Sequence, residues 1–198
     1  MTARNSRILV MAAAFLAGLA LCFGVVLIVA GRLSAPVAQQ IAAIGGPFKL
    51  IDQNGRTVTD EDLKGRPFLV FFGFTHCPDV CPTTLFEVSE ILRTLGPDAD
   101  RTRALFITVD PERDTPAVIK NYLSSFDPHL SGLTGEPAEI AAVAKAYRVY
   151  FKKVPLEGGY TMDHTAIVYL MDKTGRFVSP FSVKRPTDAA VADLRRYL

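Results

Sequence analysis

The sequence predicts an α/β domain built on a mixed sheet flanked by helices, and three features carry that expectation. Two short runs, 67–74 (Pro-Phe-Leu-Val-Phe-Phe-Gly-Phe) and 104–109 (Ala-Leu-Phe-Ile-Thr-Val), are apolar throughout and rich in aromatic or β-branched residues, the pattern of strands buried on both faces. Each is followed, after a turn, by a stretch with apolar residues at helical spacing. Asn54-Gly55 ahead of them marks a hairpin, and a strand–turn–strand pattern comes later, so antiparallel edges join a central alternation of strand and helix.

The elements follow in order. Short strands flank Asn54-Gly55 within 48–58, and the first central strand is 67–74. Pro82 suits a first helical position. Leu85, Val88, Ile91, Leu92 and Leu95 then recur at helical spacing until Gly96 stops the helix. The second central strand is 104–109. Thr115 caps a helix that Pro116 opens and that runs to about Phe126. A further helix spans 137–147, with Ile140, Val143, Ala144 and Tyr147 on one face. Strands are expected at 150–154 and 166–171. Asp172-Lys-Thr-Gly175 turns into a strand at 177–181, and a helix over 187–198 closes the chain. This order, with two cysteines at the first strand-to-helix turn, predicts a thioredoxin-like fold.

Residues 8–30 contain 23 consecutive positions without a charge, long enough to cross a bilayer as one helix. No small-x-small cleavage site follows, so an uncleaved anchor is expected, and 34–45 reads as a tether. The domains are therefore 1–33 (short cytoplasmic tail and transmembrane anchor), 34–45 (tether) and 46–198 (thioredoxin-like domain). Arg4 and Arg7 before the apolar stretch, against Arg32 after it, favour a cytoplasmic N-terminus with the body outside. An anchor so close to the N-terminus leaves no room for a long organelle-targeting peptide. The expected location is a bacterial inner membrane, crossed once, with the soluble domain in the periplasm. Of 22 Lys and Arg, Arg4, Arg7 and Arg32 precede residue 34, leaving 19 basic against 20 acidic residues beyond it. A near-neutral body gives no electrostatic basis for a nucleic-acid partner.

With Cys22 inside the apolar segment, only Cys77 and Cys81 remain for the body, so no disulfide framework exists. They occupy Phe74-Thr-His-Cys-Pro-Asp-Val-Cys-Pro82, a turn at a helix N-terminus, where the helix dipole favours thiolate over thiol. An i, i+4 pair on such a turn can bring both sulfurs to one small ion, or to each other. His164 stands at the mouth of the expected strand 166–171, where thioredoxin-like enzymes usually present a cis-proline; no proline stands there. Two thiolates and an imidazole suit Cu(I), and the imidazole also tolerates Cu(II). Structural zinc wants four ligands, and the body has no third cysteine. His76, adjacent to Cys77, is expected to turn away from it and act structurally. His129 is expected to be a surface loop residue. Asp79 either tunes the thiols or is a solvated turn residue at the helix start. Asp110, Glu112, Arg113 and Asp114 form a charged loop that serves either as a solvated turn or as a partner-docking edge near the cysteines.

Four motifs taken together resemble the Sco (SenC/PrrC) family of copper chaperones for cytochrome c oxidase assembly. They are Phe72-Gly-Phe-Thr-His-Cys-Pro-Asp-Val-Cys-Pro82, Val109-Asp-Pro-Glu-Arg-Asp-Thr-Pro116, Gly132-Leu-Thr-Gly135 and Asp163-His164-Thr165. The resemblance runs from about Gly45 to Leu198. It implies that Cys77, Cys81 and His164 are copper ligands and that Cys77 and Cys81 also form a redox disulfide; Asp79, Asp163, Asp110 and Arg113 are candidates to support the site or meet a partner. It further implies copper, as Cu(I) or Cu(II), as cargo, and delivery to the dinuclear CuA centre of cytochrome c oxidase subunit II. Other periplasmic copper chaperones or thiol–disulfide proteins are further expected partners. The main alternative is a thiol–disulfide oxidoreductase that reduces the target's cysteines before metallation. C-x3-C spacing and His164 argue against it, because oxidoreductases of this fold favour C-x2-C. A peroxidase of the same fold fits the motifs less well.

Overall fold

The computed structural model describes residues 11, 16, 18–25 and 44–198. The chain divides into two compact units, Met1–Ala42 and Ala43–Leu198. In the first, residues 18–25 are helical. Most of the expected anchor (8–30) and of the tether (34–45) lies outside the described residues. Among those described, no helix is long and apolar enough to cross a membrane.

In the second unit, β1 (Lys49–Asp52) and β2 (Thr57–Thr59) form the hairpin foreseen at Asn54-Gly55. Asp52 Oδ1 closes the turn by accepting from the N–H of Asn54 (2.8 Å) and of Arg56 (2.9 Å). Gly55 takes φ +80°, which a side chain would resist. β3 (Phe68–Gly73) is buried at all six positions, as its unbroken apolar run requires. It passes through the cysteine turn into α1 (Val80–Leu95), which starts two residues before Pro82 and ends at Gly96 with φ +60°. β4 (Arg103–Thr108) follows, parallel to β3. Thr115 caps α2 (Pro116–Leu123), its hydroxyl accepting from Val118 N–H at 3.4 Å.

The sequence reading missed β5 (Leu130–Thr134), a third parallel strand, because Ser131 and Gly132 interrupt its apolar pattern. Gly132 has a packing reason: a Cβ there would stand 2.0 Å from Ile119 Cγ2 and 2.8 Å from Leu123 Cδ1. The bare backbone lets α2 seat on β5. After α3 (Pro137–Ala146), β6 (Phe151–Leu156) and β7 (Gly159–His164) form a separate two-stranded ribbon, of which the polar β7 was also missed. β8 (Val168–Met171), β9 (Phe177–Pro180) and α4 (Thr187–Arg195) end the chain as foreseen. Among the described residues the main sheet runs β2-β1-β5-β4-β3-β8-β9, parallel at β5-β4-β3 and antiparallel toward both edges.

The crossovers from β3 to β4 to β5 step in one direction, so a right-handed path puts α1 and α2 on the same face. That face is lined by Phe71, Gly73 and Phe106, with α4 packed beside α1. The opposite face carries Phe72 and Tyr169, covered by Tyr147 after α3 with ring centroids 5.4 and 5.8 Å away. The carboxyl ends of β3 and β4 open on the cysteine turn. Gly45, where the body begins, lies at the other end, beside Met171, which pairs with the first residue of β3.

Candidate metal centre

Cys77 and Cys81 are free thiols in unequal surroundings. Cys81, in the first turn of α1, is 0% exposed and forms part of the hydrophobic core, whereas Cys77 is half-buried at the rim. Cys77 Sγ accepts the backbone N–H of Cys81 at 3.4 Å, so the turn coils around the outer sulfur. Behind Cys81 there is no spare room: a Cβ on Gly73 would stand 2.8 Å from its Sγ and 2.8 Å from Phe106 Cε2. Burial in this wall pushes the Cys81 thiol well above the ordinary cysteine range, and a hydrogen bond from the Phe74 backbone N–H only partly offsets it. The thiolate expected from the helix N-terminus is therefore not the resting state of Cys81. Burial works against the helix N-terminus at Cys81 and favours the thiol.

His164 is the last residue of β7 rather than a residue on a loop entering β8. Its Nε2 stands 3.6 Å from Cys81 Sγ. Its Nδ1 lies 3.1 Å from the Thr165 carbonyl oxygen, an acceptor, which requires the proton on Nδ1 and leaves the Nε2 lone pair facing the sulfur. The rings of Phe74 (5.7 Å, 88°) and Phe71 (6.4 Å, 68°) meet the imidazole edge-to-face and fix its plane. Burial, its largest influence, lowers the His164 pKa, so the ring is neutral near pH 7 and available as a ligand. A thiolate at about 2.3 Å and an imidazole nitrogen at about 2.0–2.1 Å from one ion stand about 3.5–3.8 Å apart. The observed 3.6 Å falls within that range. The fit is made by this pair, with Cys77 one step outside it; among the described residues no three His, Cys, Asp or Glu side chains already converge as a closed cage.

Both loops that bring these residues together are held by the segment after β4. Asp114, 0% exposed, accepts from Thr75 N–H (3.0 Å), Thr75 Oγ1 (2.6 Å) and Thr108 Oγ1 (2.6 Å), clasping the start of the cysteine turn to β4. Asp110, also buried, accepts from Arg113 Nε and from Tyr160 Oη (2.9 Å). The Arg113 guanidinium lies 3.8 Å over the Tyr160 ring and donates to the Tyr160 carbonyl at 3.0 Å, tying down the ribbon that ends in His164. The buried Asp110 thus has no surface to offer a partner, whereas the half-buried Arg113 spends its guanidinium on Asp110 and Tyr160. The sequence reading singled out neither Tyr160 nor Thr75. Asp110, Arg113 and Asp114 carried a signal through the Asp-Pro-Glu-Arg-Asp-Thr motif.

The remaining candidates lie around this centre. Asp79 is exposed at the helix start, its carboxylate accepting from Thr83 Oγ1 at 3.4 Å and its carbonyl from Thr83 N–H at 3.2 Å. With Asp163 it lines a cleft of about 250 Å³ that also contains Cys77, Pro78, Met162 and His164. His76 is exposed and turned to Thr75 Oγ1 (3.1 Å), away from the sulfurs, as expected. His129 lies in a surface turn as expected, its side chain 31% exposed, but its Nδ1 stands 2.7 Å from Asp127 and its Nε2 3.2 Å from Asp100, contacts the sequence did not signal. A larger cavity of about 550 Å³ at the opposite end of the sheet contains no thiol, and its Arg56, Arg66 and Arg103 are already bonded to Asp52, Asp100 and Asp62.

Residues 36–198 match the SCO1/SenC family model. The chain is 42% identical over 165 residues to the SCO1 homolog 1 of Arabidopsis thaliana, a mitochondrial protein, covering 79% of this chain and 48% of that one. It therefore spans about half the length of that relative. Among solved structures, copper-bound ScoI of Bradyrhizobium japonicum matches with a TM-score of 0.77 and 70% identity, over 79% of this chain and 100% of that one. BsSco, described with a disulfide switch as a member of the Sco family of cytochrome c oxidase assembly proteins, matches with a TM-score of 0.63 and 27% identity, over 77% and 91%. The central sheet flanked by helices is the architecture of these thioredoxin-like structures.

Proposed function

The chain belongs to the SCO1/SenC family, and on that premise we propose that it is a copper-binding protein of cytochrome c oxidase assembly with Cys77, Cys81 and His164 as ligands. The observation that carries this reading is the 3.6 Å approach of His164 Nε2 to Cys81 Sγ, with Nδ1 bonded to a carbonyl so that the lone pair faces the sulfur. A reductase has no need of a neutral imidazole so oriented. The copper-bound Bradyrhizobium relative supports copper as the cargo. Two sulfurs and one nitrogen suit Cu(I), and three ligands leave room for an incoming group.

In the full proposal residues 8–30 anchor the protein in a bacterial inner membrane and 34–45 tether the body in the periplasm. The body then delivers copper to the CuA centre of oxidase subunit II, and other periplasmic copper chaperones or thiol–disulfide proteins load or reduce it. The geometry supports such a hand-over. Cys77 and the cleft beside it lie at the end of the sheet away from Gly45, where a partner has access. Loading needs both thiols reduced, so oxidation to a Cys77–Cys81 disulfide excludes copper. A second reading, a thiol–disulfide oxidoreductase acting on the target's cysteines, draws on the adjacency of the two thiols and on the disulfide switch of BsSco.

His164→Ala separates the two. Copper delivery requires that this variant loses Cu(I) to a competing chelator and assembles less oxidase in copper-limited cells, while still forming a reducible disulfide. Normal oxidase assembly by His164→Ala would establish the reductase reading instead. Protease added to spheroplasts tests the placement, since full protection of the body would overturn a periplasmic domain.

A further inference from the structure

The ribbon that ends in His164 has two unlike edges. Thr165 N–H donates to the Tyr150 carbonyl at 2.9 Å, and antiparallel pairing then alternates along the strands, so Asp163, Thr161 and Gly159 spend their main-chain groups on β6. Those of Tyr160, Met162 and His164 point the other way. The Tyr160 carbonyl accepts from Arg113, as that direction requires. Among the described residues, the outward main-chain groups of Met162 and His164 pair with nothing. β6 guards its own outer edge with Lys153 and with Pro155, which has no N–H to offer there, whereas β7 holds neither lysine nor proline. The open edge of β7 faces the cleft beside Cys77. Four consecutive residues, 161–164, line that cleft, whereas a cleft over one face of the strand would meet every second residue, and no residue of β6 takes part. Residues 77–80 form the opposite wall. The lining carries the carboxylates Asp79 and Asp163, both exposed, and no lysine or arginine.

We propose that β7 is a docking strand: an extended segment of a partner protein adds to its free edge and carries a cysteine, flanked by Lys or Arg, to Cys77. The inference rests on the reading above in one respect, that a partner's sulfur meets Cys77, which copper transfer and thiol exchange share. A row of main-chain donors and acceptors along an open edge is matched by another main chain. The two carboxylates favour a segment with positive side chains around its cysteine. Residues 161–164 span about 13 Å at about 3.3 Å each, so about four or five partner residues suffice. Strand addition sets the register of the segment against β7, and with it the place of the incoming sulfur relative to Cys77 and His164.

The test uses the reduced full chain with Cys22→Ser, which removes the third thiol, and the peptide Lys-Thr-Val-Cys-Val-Thr-Lys with an aromatic disulfide on its cysteine. The Cys77 thiolate attacks the peptide sulfur. A new S–S bond forms, the old one breaks, and the aromatic thiolate leaves with a colour that reports the rate. N-methylating the peptide residues one at a time removes one main-chain donor each. Methylation at alternate residues is expected to slow exchange about fivefold, the scale of one hydrogen bond, and at the residues between to leave it unchanged. Glutamate in place of both lysines should slow it as well. With a saturating serine version of the peptide, the Met162 and His164 amides should exchange with solvent more slowly, and those of Thr161 and Asp163, already bonded to β6, at an unchanged rate. A rate indifferent to N-methylation, or slowed equally at every residue, overturns strand addition, and a rate raised by glutamate overturns the charge assignment. If Cys77 exchanges with none of the peptides, the reading that a partner's sulfur meets it fails instead.

Discussion

Replacing Gly73 by alanine probes how tightly the site is built into the core. Gly73 ends β3, and its added methyl would meet Cys81 Sγ at 2.8 Å, Phe106 Cε2 at 2.8 Å and Phe71 Cε1 at 3.1 Å. Non-bonded carbons prefer about 3.5–4.0 Å. None of the three can retreat toward water, since Cys81 and Phe106 are 0% and Phe71 2% exposed. The methyl is accommodated only if α1 lifts off the sheet or Phe106 leaves its rotamer. Overpacking of this kind costs about 1–3 kcal/mol, of which the reduced freedom of the unfolded chain returns about 0.4–1 kcal/mol. With three buried obstacles the central values apply, and a net loss of about 1.3 kcal/mol is expected from urea denaturation of the metal-free protein. The same displacement carries Sγ away from His164, so Cu(I) retention should fall as well. Repeating the substitution in a Cys81→Ala background isolates the sulfur, because the methyl then loses one of its obstacles and should cost less. A Gly73→Ala protein within 0.5 kcal/mol of wild type, or an equal cost with and without the Cys81 sulfur, would refute this packing argument.

Gly132→Ala, whose methyl would stand 2.0 Å from Ile119 Cγ2, should cost at least about 1–3 kcal/mol yet leave Cu(I) retention intact, since it lies under α2 rather than at the cysteines. Asp110→Ala strands the Arg113 guanidinium and the Tyr160 hydroxyl, and a loss of about 2–4 kcal/mol is expected, with faster amide exchange in the β6–β7 ribbon and weaker copper binding through His164. The pKa of His129 is raised, chiefly by its hydrogen bond to Asp127. Its folded value lies above its unfolded one, so its contribution is full below about pH 6.5 and is lost as pH rises through the folded value. His129→Gln should flatten the fall in stability on that side of pH 6.5, and an unchanged profile would show that the histidine–carboxylate contact carries no weight.

The parts of the fold legible in the sequence were those with one dominant local signal. β3 and β4 are buried on both faces and so are apolar throughout, and the hairpin at Asn54-Gly55 and the cap at Thr115 follow from the chemistry of single residues. The missed strands lack such a signal. β5 holds a glycine because α2 presses on it, a requirement set by a residue 13 positions away at Ile119. Among the described residues β7 pairs only with β6, and of its six positions only Met162 is buried, so it shows no apolar alternation. Its last residue is nevertheless His164. Motif resemblance located that histidine, whereas periodicity placed it on the wrong kind of element.

The same contrast governs the site. Residue types and spacing brought Cys77, Cys81 and His164 into one argument, but spacing is blind to burial, and burial sets the state of Cys81. From the helix N-terminus alone the two cysteines look alike. In the fold one faces a cleft, while the other is enclosed by Phe71, Phe74 and Phe106 and held as a thiol. An ion that displaces the Cys81 proton must therefore supply the stabilisation that the core denies to a bare thiolate. Under the proposed copper role, proton release and metal capture are coupled at the inner sulfur. The outer sulfur and the cleft beside it remain the part of the site that a partner can reach.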